Sequence, residues 1–209
     1  MPYDGAAGVV VHIVDDEPTV LKALRTLLEA DGFTCRTYED GRPFLEAGVG
    51  ERDCVIADVQ LHDMTGIEML QTLRARGQRT PVLVITGYAS IEVAVEAMKA
   101  GATDFLTKPF EKAELVGKVR ACLAIARLRA SETARRRAAA DKLAALSERE
   151  VEVLGQVIEG RTNRAIGDVL GISIKTVEAH RARIMEKTGA LSLVDLTRLW
   201  DTAGPCAAL

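Results

Sequence analysis

Five polar side chains follow apolar runs of the chain. Asp15 and Asp16 follow Gly8–Val14. Asp58 closes Cys54-Val55-Ile56-Ala57. Thr86 follows Pro81–Ile85, and Lys108 comes two residues after Leu106. An isolated Asp ending a strand usually caps a helix or forms a turn. Brought to one place, these five residues can do more. Three crowded carboxylates repel unless a cation joins them, and hard oxygen ligands suit octahedral magnesium (Mg²⁺). A lysine ammonium and a threonine hydroxyl beside them can bind phosphoryl oxygens. An ionised aspartate can attack phosphorus to give an aspartyl-phosphate. Mg²⁺ and lysine would neutralise the charge in that transfer.

The elements needed to gather them are legible. Gly8–Val14, Phe33–Tyr38, 53–58, Pro81–Ile85 and Asp104–Leu106 read as strands, the third and fourth buried on both faces. Pro18–Ala30 carries Val20, Leu21, Leu24, Leu27 and Leu28 at helical spacing. Asp40–Ala47, Met64–Arg76, Ala89–Ala100 and the run from Glu111 also read as helices. Five strands alternating with five helices call for an α/β doubly wound, five-stranded parallel sheet. In such sheets, ligands bind outside the carboxyl ends of the strands. All five polar residues fall at those ends.

The second half has a different pattern. Ser147 with Glu150 three residues on forms a capping box, and Val151, Leu154, Val157 and Ile158 share a face up to Gly160. A helix from Thr162 should bury Ala165, Ile166, Val169 and Leu170. Gly171-Ile172-Ser173 then leads into a third helix, Ile174–Lys187, and Leu191–Trp200 forms a fourth. Helix, short glycine turn, helix is the helix-turn-helix signature, here in an all-α four-helix domain. Val177, His180 and Ile184 should face inward. Lys175, Arg181, Arg183 and Lys187 offer phosphate partners, while Glu178, Ala179 and Ala182 lie where base edges could be met.

The first constellation resembles the receiver (flavodoxin-like) domain of two-component response regulators, over about residues 8–126. The resemblance implies that Asp58 is the phosphoacceptor, and that Asp15, Asp16, Asp58 and the Gln60 carbonyl hold the metal. It also implies that Thr86, Lys108 and Phe105 sense the phosphoryl group. Gln60 and Tyr88 would flank the path of hydrolytic water. One loop departs from the family: His62 and Asp63 stand where proline and glycine are usual, so the loop should be less rigid. His62 reads as a solvated loop residue. The second block resembles the tetrahelical LuxR-type helix-turn-helix over about residues 144–203. Its motifs are Leu146-Ser147-x-Arg149-Glu150, Gly160-x-Thr162-Asn163-x-x-Ile166, Leu170-Gly171-Ile172-Ser173 and Lys175-Thr176-Val177-Glu178-x-His180-Arg181. The family often has Ala where this chain has Gly167. The resemblance implies DNA contacts from Asn163, Ser173, Lys175, Thr176, Glu178, Ala179, Arg181, Ala182, Arg183 and Lys187.

Together the blocks look like the FixJ/NarL class of transcriptional regulators. This implies a sensor histidine kinase as donor, promoter DNA as target, and a homodimer through the fourth helix, fifth strand and fifth helix. A haloacid-dehalogenase-like phosphatase also uses an aspartyl-phosphate, but needs a second Asp two residues after the nucleophile. Gln60 stands there, which argues against an enzyme of that kind. A docking or DNA-binding protein with a relic receiver is the remaining alternative.

Charge divides the chain in the same way. Residues 1–126 hold 13 basic and 19 acidic groups, 127–145 hold 6 and 2, and 146–209 hold 8 and 9. The expected organisation is therefore a receiver at 1–126, a basic helical linker at 127–143 and a DNA-binding domain at 144–209. The linker fits one long helix or a hinge, and Arg135-Arg136-Arg137 reads as a solvated charge run. No run approaches the ~18 apolar residues of a membrane span, and the start shows no signal-peptide pattern. With four scattered cysteines and no C-x-x-C pair, a reducing cytoplasmic location is expected.

Overall fold

The computed structural model describes residues 8–87 and 91–204. The chain divides by its contacts into two units, Met1–Ala130 and Ser131–Leu209.

The first unit runs β1 (Val10–Val14), α1 (Pro18–Glu29), β2 (Thr34–Tyr38), α2 (Gly41–Ala47) and β3 (Cys54–Asp58). It continues with α3 (Gly66–Ala75), β4 (Val82–Thr86), α4 (Ile91–Lys99) and β5 (Asp104–Thr107). The five strands form a sheet of order β2-β1-β3-β4-β5, all parallel. Strand residues alternate between faces, so each side of the sheet has its own core. Val11, Ile13, Ile56 and Ile85 pack against Leu21, Leu24 and Leu28 of α1, and against Leu115, Val119 and Leu123 further along the chain. Val14, Val55, Ala57 and Val84 pack against Phe44, Ile67, Leu70 and Ala97 on the other side. β3 and β4 are buried throughout. Burying one such Leu or Ile side chain contributes roughly 1.5–3 kcal/mol.

The connector is one helix, α5 (Lys112–Ala144). Leu115, Val119, Leu123 and Ala126 in its first part are buried, while Leu128 is exposed. Leu143 belongs to the core of the second unit.

That unit contains α6 (Glu148–Ile158), α7 (Asn163–Leu170), α8 (Ile174–Thr188) and α9 (Leu193–Ala203). Each of the four is capped by a hydroxyl: Ser147, Thr162, Ser173 and Ser192 accept from backbone N–H groups of the following first turn. Glu150 completes the Ser147 capping box. The turn between α7 and α8 needs Gly171, whose φ of 65° is left-handed. Gly167 has a packing reason as well. A Cβ there would stand 2.7 Å from the Ile172 carbonyl oxygen. The core comprises Leu143, Val153, Leu154, Val157, Ile166, Val177, Ile184 and Leu196. Val169, expected inside, is exposed, and so is Leu193 of α9.

No described helix is long and apolar enough to cross a membrane. Cys35, Cys54 and Cys122 are buried free thiols. Burial pushes the Cys35 thiol up to about 12 and that of Cys122 to about 11. Cys206 lies outside the described residues.

Candidate functional site

β1, β3, β4 and β5 run parallel, so their carboxyl ends deliver Asp15, Asp58, Thr86 and Lys108 to one edge. Backbone bonds fix the register there: Val59 N–H donates to Ile85 O at 3.1 Å and Lys108 N–H to Thr86 O at 2.7 Å. The Lys108 ammonium donates to Asp58 Oδ1 at 2.7 Å and to Asp15 Oδ2 at 2.8 Å. The other oxygens are also held. Asp58 Oδ2 accepts from Gln60 N–H at 2.7 Å, and Asp15 Oδ1 from Glu17 N–H at 3.0 Å. Asp15, Asp58 and Thr86 are buried. Burial pushes the Asp15 carboxyl above its ordinary value, against the pull of Lys108. Burial also acts to lower the Lys108 ammonium, but bonds to Asp15 and Asp58 outweigh it and hold the ammonium above its usual range.

The donor chemistry suits a hard cation: the site offers carboxylate oxygens and a buried hydroxyl. Among the described residues no three carboxylate or histidine side chains already converge at metal-ligand spacing. Asp16 is turned toward the rim, with Oδ2 3.8 Å from His62 Nε2. Phe105 is half-buried on β5 and packs with the α2–α4 side of the sheet. Tyr88 lies outside the described residues.

The departing loop is anchored, contrary to the expected loss of rigidity. Asp63 Oδ1 accepts from Gly41 N–H and Oδ2 from Arg42 N–H, both at 2.9 Å, at the start of α2. Burial alone would raise the Asp63 carboxyl, but these amides hold it below its ordinary value. The two partners are 22 and 21 residues away in sequence, so no local pattern announces the contact. Gly66 holds the loop from the other end. A Cβ there would lie 2.0 Å from the Asp58 carbonyl oxygen. His62 is largely exposed, between Asp16 and Asp40.

On α4, the stripe Ile91, Val95 and Met98 faces outward, 80%, 45% and 49% exposed. Ala97 is the fully buried residue of that helix, and Val93 packs partly buried on the same core. Beside this stripe, Lys118 of α5 pairs with Asp104 of β5 at 2.7 Å.

In the second unit, Val177 and Ile184 face the core, leaving Lys175, Thr176, Glu178, Ala179, Ala182 and Arg183 of α8 exposed. His180 is half-buried, its Nδ1 inaccessible to solvent and without a hydrogen-bond partner among the described residues. Ser173 caps α8 and its hydroxyl lies 2.8 Å from that of Thr176. Two expected DNA contacts are engaged within the unit. Arg181 donates to Asn163 Oδ1 at 3.0 Å, tying α8 to α7. Lys187 donates to Glu150 Oε2 at 2.7 Å, tying α8 to α6. That bond and the Ser147 N–H depress the Glu150 carboxyl to about 2. Lys187 thus braces α8 against α6 with one of its three N–H donors, while its side chain stays exposed.

The fold and this edge define a receiver joined to a helix-turn-helix module. Residues 11–120 match the response regulator receiver domain. Residues 144–200 match the luxR family of bacterial regulatory proteins. The chain is 40% identical to the transcriptional regulatory protein FixJ of Azorhizobium caulinodans over 199 residues, 95% of this chain and 94% of that one. It is 39% identical to the C4-dicarboxylate transport transcriptional regulatory protein DctR of Rhodobacter capsulatus, over 90% of this chain and 98% of that one. The solved structure of the response regulator StyR superposes with a TM-score of 0.83 at 34% identity, covering 92% of this chain and 98% of that one. Full-length FixJ from B. japonicum gives 0.58 at 35%, covering 95% and 98%. The chain belongs to the response regulator family, in the group that joins a receiver to a luxR-type DNA-binding domain.

Proposed function

We propose that Asp58 accepts a phosphoryl group from a sensor histidine kinase and that its phosphorylation controls promoter binding by α8. The observation that carries this is the Lys108 ammonium bridging Asp58 and Asp15 at the strand ends. An ionised Asp58 oxygen attacks phosphorus, the phosphorus–nitrogen bond of the donor breaks, and Lys108 follows the transferred oxygens. Asp15, Asp16, Asp58 and the Gln60 carbonyl would hold Mg²⁺, which supplies charge against those oxygens. Thr86 and Phe105 re-pose toward the new phosphoryl group.

The outward stripe of α4, with β5 and the near part of α5, is the face for a phosphorylation-dependent homodimer. Two copies then present two α8 helices to successive major grooves, and linkage raises affinity through effective concentration. Lys175 and Arg183 serve DNA phosphates, with the α8 N-terminus at Ser173 adding backbone N–H groups. Glu178, Ala179 and Ala182 meet base edges. The working division of the chain is a receiver at 1–126, a linker at 127–143 and a DNA-binding domain at 144–209, in a cytoplasmic protein that acts by binding.

The test compares the wild type with Asp58→Asn, each with and without acetyl phosphate and Mg²⁺, by ultracentrifugation and by genomic DNA pull-down. The wild type should dimerise and enrich a discrete set of promoters only when phosphorylated, and Asp58→Asn should do neither. Equal dimerisation and enrichment in both proteins would leave a relic receiver as the reading.

A further inference from the structure

At the opposite end of the sheet from Asp58, a cleft of about 420 Å³ is lined by Arg74, Gly77, Gln78, Arg79, Gly101 and Arg129. Its three charged side chains are all arginines, in a block that is acidic overall. They come from three places: the last turn of α3, the turn before β4, and α5. Two of them are fixed in position. Arg74 donates to the carbonyls of Gln78 at 3.0 Å and Gly101 at 2.8 Å, and Arg129 donates to the Arg79 carbonyl at 2.5 Å. Gly101 leaves room for this threading: a Cβ there would lie 3.1 Å from Arg74 Nε.

A cation at the end of α3 is favourable by itself, through the helix dipole. That accounts for Arg74 and leaves Arg79 and Arg129 unexplained. No carboxylate pairs with any of the three among the described residues. Three guanidiniums facing one cleft repel. Burial, then Arg129 and Arg79, hold the Arg74 guanidinium below its ordinary range. The carbonyls engage three of the N–H donors, and each guanidinium carries five. Beside them, the Gln78 side-chain oxygen is buried without a partner among the described residues. An amide turned over about its last bond presents N–H there instead.

We infer that this cleft binds a small multivalent oxyanion, a phosphate ester or a polycarboxylate, clamped between α3, the turn before β4 and α5. The guanidinium fork matches two oxygens of either group. The cleft volume lies within the range of small-molecule sites. Two arginines held in advance by backbone carbonyls lower the ordering cost of binding. The occupant would pin α5 to the sheet edge just before the division at Ala130.

The experiment titrates the isotope-labelled full chain with inorganic phosphate and, separately, with citrate at constant ionic strength, followed by amide chemical shifts. Saturable shifts at Gln78, Arg79 and Gly101 are expected, and the tighter of the two probes names the ligand class. Arg79→Gln and Arg129→Gln should each weaken that binding by about tenfold or more. Both should still take up beryllofluoride at Asp58, which shows that the receiver is folded. Linear shifts reproduced by sodium chloride would overturn the site, as would saturation unchanged in both variants. Shifts confined to the Asp15 and Thr107 end would place the anion elsewhere and also overturn it.

Discussion

Replacing Gly66 with Ala should damage the receiver, and the reason is geometric. The added Cβ would lie 2.0 Å from the Asp58 carbonyl oxygen, 3.0 Å from its carbon and 3.4 Å from Val59 Cα. Non-bonded heavy atoms settle at about 3.5 Å, so the backbone after β3 must retreat by on the order of 1 Å. Overpacking of this kind costs roughly 1–3 kcal/mol. The obstacle is main chain and cannot rotate away, which puts the cost at the upper end. Relief of the glycine's helix penalty returns ~1 kcal/mol at most, leaving a net loss of about 2 kcal/mol. Gly117 and Gly155 are the controls: both are helical, with nothing within 4 Å of an added Cβ. Their Ala variants should gain up to ~1 kcal/mol. Urea unfolding followed by circular dichroism reads all three. The single tryptophan, Trp200, reports the second unit by fluorescence. Gly66→Ala should shift the dichroism transition, spare the fluorescence one and weaken beryllofluoride uptake. Wild-type stability in Gly66→Ala, or an equal loss in Gly117→Ala, would refute the reasoning.

Three further outcomes follow from the contacts. The Glu150 carboxyl is depressed in the folded protein, so its stabilisation is present above the unfolded value and lost as pH falls toward about 2. Melting of the second unit between pH 5 and pH 2 should therefore lose part of its pH dependence in Lys187→Met; an unchanged slope would show that the brace is idle. Asp63→Ala removes two acceptors from the start of α2 and should cost about 1 kcal/mol by analogy with a lost cap, measured by chemical denaturation. Gly167→Ala introduces a better helix former, yet should lower the melting point of the second unit because of the Ile172 carbonyl; an unchanged melting point would show that the turn yields.

The strands of the receiver were legible because β3 and β4 are buried on both faces and read as unbroken apolar runs. Their carboxyl ends were legible because topology, once parallel, decides which residues meet. Periodicity says which residues share a helical face, but not which face packs. Ile91, Val95 and Met98 share one side of α4, and that side points outward while Ala97 faces the core. Long-range polar contacts left no mark in the sequence. Lys187 and Arg181 look like their neighbour Arg183 on α8, yet Glu150 and Asn163 engage them from 37 and 18 residues away. The Asp63 anchor on α2 was hidden for the same reason, and what looked like a loosened loop is tied at both ends. The capping box at Ser147 and Glu150, with partners three residues apart, could be read directly.

The central claim is that Asp58 is the residue that carries the phosphoryl group. Intact-mass spectrometry of the full chain after acetyl phosphate and Mg²⁺, followed by peptide mapping, tests it directly. The account predicts one added phosphoryl group, on the peptide containing Asp58, absent without Mg²⁺ and absent in Asp58→Asn. A phosphoryl group on Asp15 or Asp16, or the same added mass in Asp58→Asn, would contradict it.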